Sequence, residues 1–179
     1  HQVVMNMDYR YGGGPAYNGP VWFGQRVLEN SGINVVLNGN SGTPYTRRSM
    51  AYGLTGSQTP IVGNINGSRL PWSFRVDATA NKVWNFKEGA FSNIELYVQI
   101  LNAFNTQNIL GAYAYTGSPD DDGYLSSPQG LNAIQFQTNA QSFADLYNIS
   151  IANPGLYSLP RRIRLGIRLG LSLIHISEP

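Results

Sequence analysis

Residues 159–170 alternate with a period of two. Ile163, Leu165, Ile167 and Leu169 fall on one side, and Arg162, Arg164, Gly166 and Arg168 on the other. That repeat belongs to a β-strand, whose successive side chains point to opposite faces. One face of this strand is apolar and the other strongly basic. Packed between two sheets of a soluble sandwich, the arginines would be uncompensated buried charges. Where one face meets lipid and the other a wet lumen, the pattern is ordinary.

Four more stretches alternate in the same way. Val3, Met5, Met7, Tyr9 and Tyr11 oppose Asn6, Asp8 and Arg10, ahead of Gly12-Gly13-Gly14-Pro15. Ile33, Val35 and Leu37 oppose Asn34 and Asn38, ahead of Ser41-Gly42-Thr43-Pro44. Trp72, Phe74, Val76, Ala78 and Ala80 oppose Ser73, Arg75, Asp77, Thr79 and Asn81. Ile94, Leu96, Val98 and Ile100 oppose Asn93, Glu95 and Gln99. Apart from the second, whose clean alternation is short, these runs approach the ~10 residues that cross a bilayer at a tilt; globular strands average about 5–6. Lys82 lands on an apolar face, where a position near the rim would let its ammonium snorkel. Ile100-Leu101 breaks the period and predicts a bulge or the end of the span.

Composition narrows the classes. Cysteine is absent, which excludes disulfides and thiolate metal sites. Charged residues make up 12%, about half the usual share. A net charge of +2 is too small to indicate nucleic acid. No apolar run approaches the ~20 residues of a membrane helix, but barrel strands hide from hydropathy because polar residues alternate with apolar ones. The fold expected is all-β: an antiparallel transmembrane β-barrel fragment of about five strands.

Connection lengths suggest an orientation. The links after Tyr11 and after Phe86 are the shorter ones, and residues 43–70 and 105–158 form long links rich in Gly, Asn, Ser and Pro. Outer-membrane barrels have short periplasmic turns and long external loops. Lys87-Glu88-Gly89 is therefore expected to be periplasmic, with the final strand descending toward it. Trp84, Phe86 and Phe91 would form one interfacial girdle, and Trp72, Phe74 and Phe104 the other. In the last loop, the spacing of Phe143, Leu146 and Tyr147 predicts a short helix stopped by Asn153-Pro154. Tyr113 and Tyr115 either extend the fourth strand or belong to separate structure, and the sequence leaves both open.

The chemistry-bearing residues are few. No Gly-x-Ser-x-Gly elbow and no paired-His motif is present, so no catalytic residue, no cofactor site and no enzymatic activity is expected. Gly12-Gly13-Gly14 lacks the helix and Lys of a phosphate loop and is expected to be a turn. Asp120, Asp121 and Asp122 are a weak candidate for calcium; their spacing is not that of a helix–loop–helix site, and Asx turns account for the same residues. Arg75, Asp77, Arg162, Arg164 and Arg168 are expected to face the lumen, as a ladder of salt bridges or, alternatively, in contact with a plug or ligand inside it. Tyr113, Tyr115, Tyr124 and Tyr147 are candidate ligand contacts through ring stacking.

Several motifs occur in a characteristic order. They are Ser41-Gly42-Thr43-Pro44-Tyr45-Thr46; Leu70-Pro71-Trp72 before Arg75-Val76-Asp77; Leu101-Asn102-Ala103-Phe104-Asn105; residues 116–125, Thr-Gly-Ser-Pro-Asp-Asp-Asp-Gly-Tyr-Leu; Asn153-Pro154-Gly155-Leu156-Tyr157; and residues 160–165, Pro-Arg-Arg-Ile-Arg-Leu. The set resembles the C-terminal barrel end of TonB-dependent receptors of the Bacteroidetes type, over nearly all of residues 1–170. The resemblance implies a roughly 22-stranded barrel in the bacterial outer membrane, enclosing an N-terminal plug. It implies import of a bulky ligand, driven by the TonB complex through an N-terminal segment, with outer-membrane lipid and a surface lipoprotein as further partners. Neither plug nor contact segment is found in this sequence, and the five strands would be the last of the barrel. An outer-membrane barrel adhesin and a soluble carbohydrate-binding β-sandwich are the alternatives. Residues 171–179 resemble a translated sequencing-library adapter and are expected to be a scar, which would leave His175 without a role and put the natural end near Gly170.

Overall fold

The computed structural model describes residues 1–51, 59–86 and 91–171, with Phe91 by its backbone only. In chain order the elements are β1 (Gln2–Arg10), β2 (Ser31–Asn40), β3 (Pro44–Tyr45), β4 (Ser68–Arg69), β5 (Ser73–Asn85), β6 (Phe91–Leu101), α1 (Pro128–Gln135), α2 (Ala140–Ile151) and β7 (Arg162–Leu171). Five of the strands form an open sheet in the order β1-β2-β5-β6-β7, and β3 pairs with β4. Each of the five alternating stretches is thus a strand, 9 to 13 residues long. Lys87-Glu88-Gly89 and residues 172–179, His175 included, lie outside the described residues. Leu171, beyond the expected boundary at Gly170, continues β7 and pairs with Phe91.

The chain divides into two compact units. The sheet unit comprises Val3–Asn38, Phe74–Thr106 and Pro160–Pro179; the loop unit comprises His1–Gln2, Gly39–Ser73 and Gln107–Leu159.

Within the sheet unit, antiparallel pairing sorts the side chains by row. Lys82, Leu96 and Ile167 share a row on one face, as do Ala80, Val98 and Leu165. Asn81, Tyr97 and Gly166 share one on the other face, as do Val83, Glu95 and Arg168. The apolar face is uncovered: Leu165 is 74% exposed, Ile167 66% and Met5 52%. The Lys82 ammonium donates to the carbonyls of Val27 (2.9 Å) and Glu29. The link from β1 to β2 folds back on itself, with the Glu29 carboxylate accepting from Gly14 N–H and Arg26 donating to the Gly14 carbonyl at 2.7 Å. The break at Ile100-Leu101 is the end of strand β6. Asn102 takes a left-handed φ of 55° and closes a turn, its side chain accepting from Thr106 N–H at 2.9 Å and donating to the Thr106 carbonyl at 3.0 Å. The register irregularity of β6 lies at its other end, between Phe91 and Asn93.

Within the loop unit, Ser127 caps α1 by accepting from Gly130 N–H at 3.1 Å, and Asn139 caps α2 by accepting from Ser142 N–H at 3.0 Å. The helical spacing of Phe143, Leu146 and Tyr147 corresponds to α2, which ends at Ile151, with Ala152 between it and Asn153-Pro154. Tyr113 and Tyr115 do not extend β6. They lie in a turn where Tyr113 N–H bonds the Ser118 carbonyl at 2.9 Å and Gly117 N–H the Tyr113 carbonyl at 2.8 Å. Leu70 and Tyr147, 7% and 5% exposed, are the buried large apolar side chains among the described residues.

Candidate functional site

The polar face of the sheet carries the densest chemistry. Glu95 on β6 sits directly opposite Arg168 on β7. Its carboxylate accepts from Arg168 Nη1 on one oxygen and from Asn81 Nδ2 on the other, each at 2.9 Å. The Arg168 guanidinium lies 4.5 Å from the centre of the Tyr97 ring, within cation–π range. A glycine interrupts the arginine row for a steric reason. A Cβ at Gly166 would overlap the Tyr97 ring, which lies over that position. Arg10, Asn34, Asn81, Glu95, Tyr97 and Arg168 together line a hollow of about 370 Å³.

The other sequence-predicted residues of this face divide into two groups. Arg75 pairs with Asp77 at 3.0 Å. Asp77 also accepts from Asn102 N–H at 2.9 Å, and Ala103 N–H bonds the Val76 carbonyl at 2.7 Å. This carboxylate therefore holds the turn after β6 as well as a charge. Arg162 and Arg164 stand opposite Leu101 and Gln99, and neither has an ion-pair partner among the described residues. Sequence reasoning placed Glu95, Asn81 and Arg10 on the polar face but did not single them out. Glu95 was findable, as the one carboxylate of its strand on the same face as the arginines.

The second cluster belongs to the loop unit. Tyr147 donates to Asp122 Oδ2 at 2.6 Å in a buried bond, and its ring stacks on Tyr124 with centroids 4.9 Å apart. Tyr157 donates to Asp120. Gly123 N–H bonds Asp121 Oδ1 at 2.7 Å, and Tyr124 N–H bonds Asp122 Oδ1 at 2.9 Å. The three aspartates thus serve Asx turns and two tyrosine hydroxyls, and among the described residues no group of three metal-ligating side chains converges. Tyr147, expected at a ligand surface, is instead a core residue of its unit. Tyr113 and Tyr115 line a cleft of about 380 Å³ with Arg48, Met50, Thr59 and Asp122.

Burial, followed by the hydrogen bond to Asp122, pushes the Tyr147 phenol well above the ordinary tyrosine range. Tyr113 is also raised, by burial and the Asp122 charge, and Tyr157 by its bond to Asp120. A raised folded-state value leaves stability intact below the unfolded tyrosine value of about 10 and removes it as pH climbs beyond. The loop unit should therefore open above about pH 10. Phenolate absorbance should appear late and together with loss of structure, and Tyr147→Phe should remove the largest late step. An unchanged late step in that variant would refute the assignment.

No protein-family model, curated protein or solved structure matches the chain.

Proposed function

We propose that this chain is the C-terminal part of the barrel of a TonB-dependent receptor in the bacterial outer membrane. In that role it forms lipid-facing wall and polar lumen for the import of a bulky ligand, and it catalyses no reaction. One observation carries the reading: a single five-stranded sheet has one face of largely exposed apolar side chains, interrupted by Lys82, and an opposite face of ion pairs and amide hydrogen bonds. Water is a poor solvent for the first face, at about 25 cal/mol per Å² of apolar surface. Lipid is a poor solvent for the second, at about 2–4 kcal/mol for each arginine at the midplane. A membrane wall satisfies both. Trp72, Phe74 and Phe104 at one end and Trp84 and Phe86 at the other are exposed, as girdle residues would be. In this reading the TonB complex and the plug act through regions outside residues 1–179, and the long loops, with the cleft at Tyr113 and Tyr115, meet the ligand or a surface lipoprotein.

Spin labels placed one at a time at positions 164 and 165 of the full receptor test the facing. A lipid-soluble quencher should relax the label at 165 and leave that at 164 unaffected. Equal accessibility at both positions would refute the membrane reading.

A further inference from the structure

The described charged side chains on the polar face of the sheet have their counter-charges within the sheet, with two exceptions. Arg10 pairs with Asp8 at 2.8 Å, Arg75 with Asp77 at 3.0 Å and Arg168 with Glu95 at 2.9 Å. Arg162 and Arg164 are the exceptions, and both lie on β7, an edge strand. Their neighbours on the β6 side are Leu101 and Gln99, which bring no charge. Two cations at i and i+2 of one strand share a face and repel. The side of β7 away from β6 has no described strand.

From this we infer that β7 is completed by an antiparallel strand carrying carboxylates at the two positions that face Arg162 and Arg164. The inference rests on the membrane-barrel reading and adds the chemistry of the strand that closes on this edge. The strand's local pattern follows from the pleat. The two carboxylates are two residues apart and point into the lumen, and the residue between them is apolar and faces lipid with Ile163. Glu95 and Arg168 already display this device on the β6 side of β7, as a directly opposed carboxylate–guanidinium pair. A second copy of β7 does not supply the missing charges, because its residues on this face are Arg162, Arg164, Gly166, Arg168 and Gly170, which bring no carboxylate in any register. The arginines also act against mispairing, since they reject any edge that lacks acidic residues at that spacing.

The test uses the full-length protein assembled in outer membranes. The chain holds no cysteine, so a single cysteine replacing Ile163 and single cysteines along candidate strands identify the neighbour of β7 by disulfide trapping. Carboxylates should stand at the two facing positions of the trapped strand. Reversing the arginines (Arg162→Glu with Arg164→Glu) should abolish most of the SDS-resistant folded band, and lysines at the two facing carboxylates should restore it. A trapped strand with neutral facing positions, or rescue only by charge changes in a plug segment, would overturn the inference and leave the barrel standing. Trapping by no strand, with the protein in the aqueous fraction, would overturn the barrel reading as well. The trapping result does not depend on the reversed variants folding.

Discussion

Alanine at position 42 should cost the loop unit its folded structure. Gly42 is buried, and a Cβ there would fall within the van der Waals radius of the Leu70 carbonyl oxygen, with the Pro71 carbonyl close behind. These obstacles are backbone atoms, which cannot swing aside as a side chain can. Three connections depend on the close approach. Leu70 N–H bonds the Thr43 carbonyl at 3.0 Å, Arg69 donates to the Gly42 carbonyl at 3.3 Å, and β3 pairs with β4 two residues further on. Overpacking a core costs about 1–3 kcal/mol when side chains can adjust; here the loss should exceed ~3 kcal/mol, because two chain segments must separate. Gly63 provides the comparison. It has a φ of +77° but open space around its Cβ position, so Gly63→Ala should cost only about 1 kcal/mol of backbone strain. Denaturant midpoints of the purified full-length variants measure the difference, and similar midpoints would refute the account.

Gly42 also shows what a local reading of sequence can and cannot recover. The strands were legible because alternation is a property of neighbouring residues, and each alternating run corresponds to a long strand. The partnership of distant motifs was not legible. Ser41-Gly42-Thr43-Pro44 reads as the end of one strand and Leu70-Pro71-Trp72 as the opening of another, and in the structure the two are one joint. Arg75-Val76-Asp77 and Leu101-Asn102-Ala103 are likewise joined, by the Asp77–Asn102 and Val76–Ala103 hydrogen bonds. The aspartates of residues 120–122 meet tyrosines 25 and 37 positions away.

The misses share this cause. Strands β3 and β4 are two residues each, too short for any period to register. The helix α1 begins at a proline and includes a buried glycine, and both residues read as loop signals in a sequence. Its Gly130 lies against the backbone of Tyr124 and Leu125, where a Cβ would collide. The Tyr147 side chain was assigned to a ligand surface because loop tyrosines often stack on rings, and its partner Asp122 lies on a different segment of the loop. On the polar face of the sheet, the shared facing of Arg75, Asp77, Arg162, Arg164 and Arg168 followed from parity. Arg75 and Asp77 pair within one strand, whereas the counter-ion of Arg168, and its absence beside Arg162 and Arg164 among the described residues, depended on strand order and register.

That same sheet predicts how residues 1–179 behave when expressed alone. They should be recovered as aggregated, insoluble protein. Strands β1 and β7 are both edges, and five strands fall short of closing even the smallest, roughly eight-stranded, barrel. Each unpaired backbone group at such an edge costs several kcal/mol in lipid, and in water the edge is a template for pairing with another chain. The faces add to the problem. With Met5, Met7, Ile163, Leu165, Ile167 and Leu169 exposed on one side, burial of apolar area between copies is the available gain in water. Arg162 and Arg164 disfavour β7 pairing with its own copy, but they do nothing to protect β1, whose outward side chains include Val3, Met5 and Met7. Aggregation should therefore begin at β1, and lysines at positions 5 and 7 should slow it more than lysines at 165 and 167. Light scattering after dilution from denaturant reads both the outcome and the order. A monodisperse, cooperatively melting monomer in buffer without detergent would contradict the membrane reading, because it would mean that the apolar face finds its cover within this chain.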